Sequence, residues 1–209
     1  MYILFFIYLA PDNFIEEIFE QINLLRSKPY IYSQKILNSL GYIKSTNKSN
    51  DNIDIKNNKH ISDNSNNEYC SNYFSYYVKQ DICKIGLIKG QRAFVETAEL
   101  LAIQDSIDLL IFKKDLCIEI PDNKSEWINK TYLETYLQEK AKNLNYSKFG
   151  FHFDLNCVCP ETSVILQVVD DNTFNLQRRN NILNPEYKYI GISSKKINNN
   201  YCVYLTFAS

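Results

Sequence analysis

One stretch, Val164–Ser193, does most to limit what this chain can fold into. It opens with an apolar run typical of a buried helix, and an acidic pair, Asp170 and Asp171, follows. A basic turn and then Pro185 come next, and the stretch ends in apolar residues typical of a strand. Because proline cannot continue a helix, the pattern predicts a helix, a tight reversal and a strand within one short segment.

Two helices are predicted near the N-terminus. Pro11-Asp12-Asn13 combines a helix breaker with two residue types that favour the capping position, so a helix is expected to begin there. Pro29 ends this helix after Ser27, because proline excludes its predecessor from the α region. A second, short helix is predicted over Ile31–Leu40. The expected apolar face of the first helix consists of Ile15, Ile18, Phe19, Ile22 and Leu25.

Residues 43–68 form a low-complexity segment that is rich in Asn, Lys, Ser and Asp. Such a segment buries too little apolar surface to offset the entropy lost on ordering. We therefore predict a disordered insertion within a single domain that spans residues 11–209. The aromatic residues of the next segment, Tyr69–Lys89, are compatible with either a buried patch or a strand.

The centre of the chain contains two further helical patterns. Phe94–Phe112 is the strongest, because Ala98, Leu101 and other apolar residues form a broad stripe at helical spacing. This prediction places Asp105 within a helix. Trp127–Leu144 shows the same periodicity more weakly and is predicted as a second helix.

The C-terminal part alternates between strand and helix patterns. Gly150–Cys159 alternates large apolar with polar residues and is predicted to be extended, and a helix is predicted over Glu161–Val169 after a proline. Tyr187–Ser193 and Tyr201–Ala208 read as strands, joined by the polar turn Lys195–Asn200. The fold class that follows is α+β, as a three-layer α-β-α sandwich that closes with an antiparallel β-hairpin.

Composition limits the class of protein further. A chain of 209 residues with 45% hydrophobic residues is long enough for one domain with a sizeable core. Its formal net charge of −1 provides no field that would attract nucleic acid, so nucleic acid is not an expected partner.

The cysteines allow two interpretations. A zinc site that includes Cys157 and Cys159 is one, although the chain has no CxxC motif. Disulfide bonds are the favoured interpretation, on the condition that the chain is secreted to an oxidising compartment. The sequence does not select a pairing among Cys70, Cys83, Cys117, Cys157, Cys159 and Cys202.

The N-terminal run, residues 1–10, is apolar but too short to span a bilayer, which takes about 20 residues. Its length suits the core of a signal peptide with a truncated start. The alternative is an apolar arm packed on the core. Four N-x-S/T sequons fit a secreted glycoprotein, although Asn is too common here for them to weigh heavily. They lie at Asn47, Asn123, Asn129 and Asn145.

The order of these elements, and the residues within them, resemble the CAP superfamily of cysteine-rich secretory proteins, antigen 5 and plant pathogenesis-related proteins, in its SCP-like branch. Ile22–Pro29 is similar to the family's N-x-x-R-x-x-P helix, and Glu99–Asp108 to its L-x-x-A-A-x-x-H-S-x-D helix. Leu155-Asn156 stands where the family has E-N. Val164–Ile192 resembles V-L-Q-L-x-x-D-D-G-x-x-x-R-G-H-R-x-N-I-L-N-P-x-F-x-x-V-G-I, which is the most specific of the four matches.

The resemblance implies a cleft in which two His and two acidic residues converge, holding a divalent cation in some members. The first His corresponds to Asp105, the Glu to Leu155 and the second His to Arg178. Asp170 or Asp171 corresponds loosely to the other acid. Both histidines and one acid are therefore replaced at the matching positions.

A metal site of the family's kind is not expected with these replacements, so no cofactor is predicted. Leu155 offers no lone pair, and the guanidinium of Arg178 stays charged and cannot ligate a metal. At about 4 Å and an effective dielectric near 20, it would repel a single positive charge by roughly 4 kcal/mol and a divalent ion by about twice that. An ion pair between Asp105 and Arg178 is one hypothesis for the altered cleft. The alternative is two solvated surface charges that do not meet.

His152 is the other residue of interest, in the pattern Gly150–Cys159. Together with Asp154 and Asn156 it would be a cleft residue, but a hydrogen-bonded packing role is favoured. His60 lies in the low-complexity segment. The chain contains no G-x-S-x-G, P-loop or H-E-x-x-H motif.

Three functions are open on this basis. The first is a secreted, non-catalytic domain, for which the resemblance implies a lipid or sterol ligand or a protein partner. The second is a metal-dependent hydrolase with an atypical ligand set, for example His152, Asp154 and Asp105. The third is a structural role in which residues 43–68 form an exposed or glycosylated surface feature. No transmembrane segment is predicted.

Overall fold

The computed structural model describes much of the chain between Asn13 and Ser209. The predicted signal peptide at residues 1–10 lies outside the described residues, as do residues 46–68 of the predicted insertion and most of the predicted helix Trp127–Leu144. The described ranges are 13–45, 72–78, 81–120, 135–136, 139–140, 143–157, 159–171, 175–197 and 200–209.

Five α-helices have both ends in the described ranges, which also hold the short 3-10 helices Leu40–Tyr42 and Lys114–Leu116 and helical residues at 135–136, 139–140 and 143. The two N-terminal helices, α1 (Phe14–Ser27) and α2 (Pro29–Ser39), meet at the predicted break. Helix α3 (Gln91–Ile103) is central, and α4 (Pro160–Val169) begins with its proline in the first turn, as predicted. A short helix, α5 (Gln177–Ile182), stands where the sequence suggested only a basic turn.

The strands form two sheets. The smaller sheet contains β1 (Ile43–Ser45), β2 (Asn72–Val78) and β3 (Asp81–Leu87), all antiparallel. The Tyr69–Lys89 segment therefore contains two strands. The first three residues of the predicted insertion, Ile43–Ser45, form strand β1 and were wrongly predicted to be disordered.

The larger sheet has the order β4-β6-β7-β5, and its members are β4 (Ile111–Phe112), β5 (Phe149–Cys157), β6 (Tyr189–Ile197) and β7 (Asn200–Ala208). Antiparallel pairing of β6 with β7 confirms the predicted C-terminal hairpin, and β5 pairs antiparallel with β7. Because β4 runs parallel to β6, the sheet is mixed. The fold is α+β, as predicted.

The main core lies between this sheet and the helices. Val203, Leu205 and Phe207 point from the central strand β7 into one cluster with Ile18 and Ile22 of α1 and with apolar residues of α3 and α4. Burying each such side chain contributes about 1.5–3 kcal/mol. This continuous cluster is what fixes α1 and α4 on one face of the sheet.

The opposite face of the sheet carries a smaller cluster of Ile118, Cys202 and Tyr204, against which Phe149, Phe151 and Phe153 pack. These residues alternate along β5 and β7 with those of the main core, as the period of two in a strand requires. Ile118 and the residues next to it cover part of this face.

The strongest predicted helix, Phe94–Phe112, was wrong in its length. Helix α3 ends at Ile103, and Gln104 is already extended with φ −71° and ψ 130°. Two contacts with α1 compete with the helix: Ile107 N donates to Arg26 O at 2.8 Å, and Leu110 N donates to Asn23 Oδ1 at 2.8 Å. Backbone groups that a helix would pair internally are thus used to dock this segment on α1.

The helix start predicted at Pro11-Asp12-Asn13 is confirmed, since α1 begins at Phe14. Asn13 occupies the N-cap position of α1, but its φ of −55° and ψ of 8° differ from capping geometry, and its side chain makes no capping hydrogen bond. Glu16 and Glu17 lie in the first turn, where their negative charges interact favourably with the positive end of the helix dipole and stabilise α1.

Candidate functional site

The acidic pair that follows α4 stabilises two other elements. Asp170 is fully buried, and its backbone has a left-handed conformation. Its Oδ2 accepts hydrogen bonds from Arg178 N at 2.8 Å and Arg179 N at 3.3 Å. Asp171 Oδ2 accepts from Lys89 N at 2.7 Å. Asp170 thereby holds the start of α5, while Asp171 holds the turn that leads into α3.

Burial raises the pKa of Asp171, and hydrogen bonds from the backbone of Ile88, Lys89 and Gly90 oppose that rise. Asp170 Oδ1 accepts no hydrogen bond from the described residues. Asp170 was predicted as a cleft residue, and its described contacts are those of a structural carboxylate.

Arg179 completes this junction. Its guanidinium donates to Val168 O and Val169 O, both at 2.6 Å, and to Thr97 Oγ1 at 2.7 Å. The positive charge of Arg179 at the last carbonyls of α4 also interacts favourably with the negative end of the helix dipole. The side chain therefore ties α3, α4 and α5 together.

Arg178, which the sequence resemblance aligned with the second His, lies half-buried at the start of α5. Leu176, the residue just before α5, has a left-handed backbone with φ 49°. For a residue with a large side chain this conformation raises the free energy of the folded state by about 1–3 kcal/mol. Burial lowers the pKa of His152, and the positive charge of Arg178 adds to that shift, so Arg178 lies within electrostatic reach of the imidazole.

Asp105, which the sequence resemblance aligned with the first His, is exposed in the extended segment after α3. Its carbonyl oxygen accepts from Gln104 Nε2 at 3.2 Å, and no ion pair joins its carboxylate to another described residue. The hypothesis of an ion pair with Arg178 is therefore wrong. It depended on a longer α3, and the early end of that helix places Asp105 on the connecting segment.

The remaining predicted positions lie on β5. Leu155 and Asn156 fall where the pairing of β5 with β7 shifts register between Asp154 and Cys157, which marks a β-bulge. Asp154 is half-buried; burial raises the pKa of the Cys157 and Cys202 thiols, and the negative charge of Asp154 adds to that rise.

His152 is buried, and both of its ring nitrogens face amide groups. Nε2 lies 2.9 Å from Gln167 Oε1, and Nδ1 lies 3.4 Å from Asn181 Nδ2. Since Gln167 Oε1 can only accept and the Asn181 amide can only donate, the neutral ring carries its proton on Nε2. The ring also packs on Phe207, with centroids 5.6 Å apart. The favoured packing role of His152 is confirmed.

A chain of polar contacts continues from His152 into the core. Gln167 Nε2 donates to Ser163 Oγ at 2.8 Å, and Ser163 Oγ lies 3.1 Å from Cys157 Sγ. All of these side chains are buried, so each hydrogen bond satisfies groups that would otherwise cost about 1–3 kcal/mol apiece. We call His152, Asn181, Gln167, Ser163 and Cys157 the polar chain.

The two titratable side chains of the polar chain, His152 and Cys157, are both uncharged near neutral pH. Burial lowers the pKa of His152 to about 3, the hydrogen bond with Gln167 opposes that shift, and the charge of Arg178 adds to it. Burial also raises the pKa of Cys157 well above its ordinary value, so its thiol stays protonated. The polar chain therefore offers neither a general base nor a thiolate nucleophile near neutral pH.

Metal ligation by the polar chain would also require His152 to lose one of its two amide partners. Within the described parts of the chain, no group of three His, Cys, Asp or Glu side chains is arranged to hold a metal ion. The four cysteines with described side chains are free thiols, so the expected disulfides do not form among Cys117, Cys157, Cys159 and Cys202. Cys157 and Cys202 point to opposite faces of the sheet, in separate clusters.

The sequence reasoning missed the role of Arg26, the Arg of the N-x-x-R resemblance. This fully buried guanidinium donates to backbone carbonyls only: Nε to Asp108 O at 2.8 Å, Nη1 to Ile182 O at 2.7 Å and Asn184 O at 3.0 Å, and Nη2 to Tyr187 O at 3.2 Å. Burial lowers its pKa to about 10, against the opposing charge of Asp108. A charged residue four positions after Ile22, on the apolar face of α1, was the available signal.

Several exposed apolar side chains lie where α1 ends and α2 begins and on the segment that follows α3. Ile103 is 87% exposed and Leu109 is 56% exposed, on either side of Asp105. The bond from Ile107 N to Arg26 O brings this segment to the end of α1, where α2 begins with the exposed Tyr30 and Ile31. We call Tyr30, Ile31, Ile103 and Leu109 the helix-end surface.

Comparison of the chain with protein-family models, with curated proteins and with solved structures gives no match. Among the helices in the described residues, none combines the length and the apolar character needed to cross a bilayer.

Proposed function

We propose that this chain is a secreted, non-catalytic CAP-like domain that binds a lipid, a sterol or a protein partner. The finer fold is part of the proposal: a three-layer α-β-α sandwich with a second helical layer over the Tyr204 face of the sheet. Support comes from the order of elements around Val164–Ile192. A helix, a buried acidic pair and a strand follow one another there in the order predicted for the stretch that resembles the family, with the short helix α5 in place of the predicted basic turn.

The observation that carries the non-catalytic part is the environment of His152, the one histidine in the described part of the chain. Both ring nitrogens are held by uncharged amides, and the Arg178 charge disfavours a second positive charge nearby. A cation would have to displace an amide and overcome that repulsion. The hydrolase that would use His152, Asp154 and Asp105 gains no support, since Asp105 lies exposed on a different segment.

The binding part of the proposal rests on the helix-end surface. A group of exposed apolar side chains at one end of a domain is typical of a surface that binds a partner or an apolar ligand. Asp105, which replaces the family's first His, lies within this surface between Ile103 and Leu109. The region that would be a cation site in the family is here flanked by apolar contact groups.

A pair of matched substitutions tests this function. Ile103→Glu places a charge in the helix-end surface. Ile88→Glu makes the same change at a residue that is 53% exposed just before the other end of α3, about 20 Å away at 1.5 Å per residue. Binding is measured by flotation with phospholipid vesicles that contain or lack sterol, and by recovery of partners from secreted material.

We expect Ile103→Glu to lower vesicle or partner binding about tenfold, equivalent to roughly 1.4 kcal/mol, while Ile88→Glu binds like the unaltered chain. Equal binding by all three proteins would contradict the helix-end surface. Binding to neither vesicles nor secreted proteins would contradict the proposed function itself.

A further inference from the structure

The turn that precedes β5 contains the sequon Asn145-Tyr146-Ser147. We propose that Asn145 is a site of N-linked glycosylation in the folded protein. This inference rests on the proposed secretion, because the reaction takes place in the secretory pathway.

The geometry of the turn presents Asn145 to solvent. Leu144 N donates to Lys140 O at 3.1 Å in the last helical turn before it, and Asn145 then leaves the helix with φ 57°. Its side chain is exposed, and asparagine is one of the few residues other than glycine that adopts this backbone readily. A glycan attached here extends outward from a protruding turn.

The residues after Asn145 are held to the protein body. The ring of Tyr146 packs on Tyr189 of β6, with centroids 5.7 Å apart. Ser147 Oγ lies 2.9 Å from Ser209 Oγ, and Ser147 N donates to Ser209 O at 3.1 Å. These contacts use Tyr146 and Ser147 and not the side chain of Asn145, so attaching a sugar to Asn145 removes none of their atoms.

The reaction is a transfer of a sugar chain from a lipid-linked donor. Asn145 Nδ2 forms a bond to the anomeric carbon of the first sugar and loses one proton. The bond between that carbon and the lipid diphosphate breaks, and the diphosphate leaves with the electron pair. The hydroxyl at the third position of the sequon is Ser147 Oγ.

A structural role alone would also explain an asparagine at this left-handed position, since Asn ends helices in the same way as Gly. Three variants separate the two roles. Asn145→Gly keeps the turn and removes the acceptor, Ser147→Ala keeps Asn145 and removes the sequon, and Ser147→Thr keeps both.

The full chain is translated in the presence of microsomes, once with its own N-terminus and once behind an established signal sequence. Protease protection reports translocation independently of any glycan. Treatment with a peptide N-glycanase in heavy-oxygen water then hydrolyses each glycosylated side-chain amide, which releases the glycan and leaves a heavy-oxygen-labelled aspartate, and mass spectrometry identifies the peptide that contains residue 145.

We expect label at Asn145 in the translocated chain and in Ser147→Thr, and complete loss of that label in Ser147→Ala and Asn145→Gly. A translocated chain with no label at Asn145 overturns the site. Translocation only behind the added signal sequence contradicts the proposed secretion and leaves the test of the site intact, because the fused chain still reports on Asn145.

Discussion

Replacing His152 with glutamine should remove a defined part of the acid sensitivity of the folded protein. His152 is buried, and its pKa falls from an ordinary 6.5 to about 3 in the native state. A lowered native pKa means that the unfolded chain takes up the proton first. The contribution of His152 to stability is therefore complete above pH 6.5 and is lost progressively as the pH falls toward 3.

The magnitude follows from the two pKa values. Each unit of difference is worth about 1.36 kcal/mol, so the native state should lose roughly 5 kcal/mol from this residue by pH 3, and about 2 kcal/mol of that by pH 5. Glutamine cannot take up a proton but retains an amide that can face Gln167. Its variant should show a shallower dependence of the free energy of unfolding on pH.

Urea denaturation followed by far-ultraviolet circular dichroism at about pH 8, 6.5 and 5 measures this difference. The carboxylates titrate equally in both proteins, so the change in free energy between pH 8 and pH 5 isolates His152. His60→Gln serves as the control for loss of an imidazole as such, and we expect it to keep the slope of the unaltered protein. Parallel pH profiles for the unaltered protein and His152→Gln would refute the buried, neutral histidine.

Two further predictions concern the packing that positions this region. Arg26→Met should destabilise the protein by at least about 3 kcal/mol in the same denaturation assay, since four backbone carbonyls lose their donor. Arg92→Met, at an exposed arginine of α3, should cost under about 0.5 kcal/mol, and equal costs would contradict the role of Arg26. Gly191→Ala should cost about 1–3 kcal/mol or more in thermal unfolding, because a Cβ there would lie 2.4 Å from the Leu116 carbonyl carbon. Gly41→Ala, where a Cβ meets nothing within 4 Å, should be nearly neutral, so a similar loss at both sites would argue against the close approach of Leu116.

Local patterns predicted the elements whose signals lie within a few residues of one another. Pro29 and Pro160 each begin a helix, and both were visible in the sequence as breaks in periodicity. The C-terminal hairpin was predicted for the same reason, because a polar turn separates two strand patterns. In each case the neighbouring residues alone determine the outcome.

Contacts distant in sequence decided the parts that were missed. Helix α3 stops at Ile103 because Asn23 and the carbonyl of Arg26 accept hydrogen bonds from the segment that follows. The helical periodicity of that segment does not predict these partners, which lie far away in the sequence. The same error moved Asp105 off its predicted helix. The buried charge of Arg26 was also not predicted, since its donors are satisfied by backbone carbonyls of Asp108 and of residues 182–187 rather than by a carboxylate.

The most direct test of the non-catalytic, CAP-like account is the divalent metal content of the purified full-length chain. Inductively coupled plasma mass spectrometry after equilibration with zinc and exhaustive dialysis measures that content, with His152→Gln analysed in parallel. We expect less than about one tenth of an equivalent of zinc in both proteins, because amides occupy both ring nitrogens of His152 and Arg178 adds a positive charge nearby. One equivalent of zinc that is lost in His152→Gln would contradict the account.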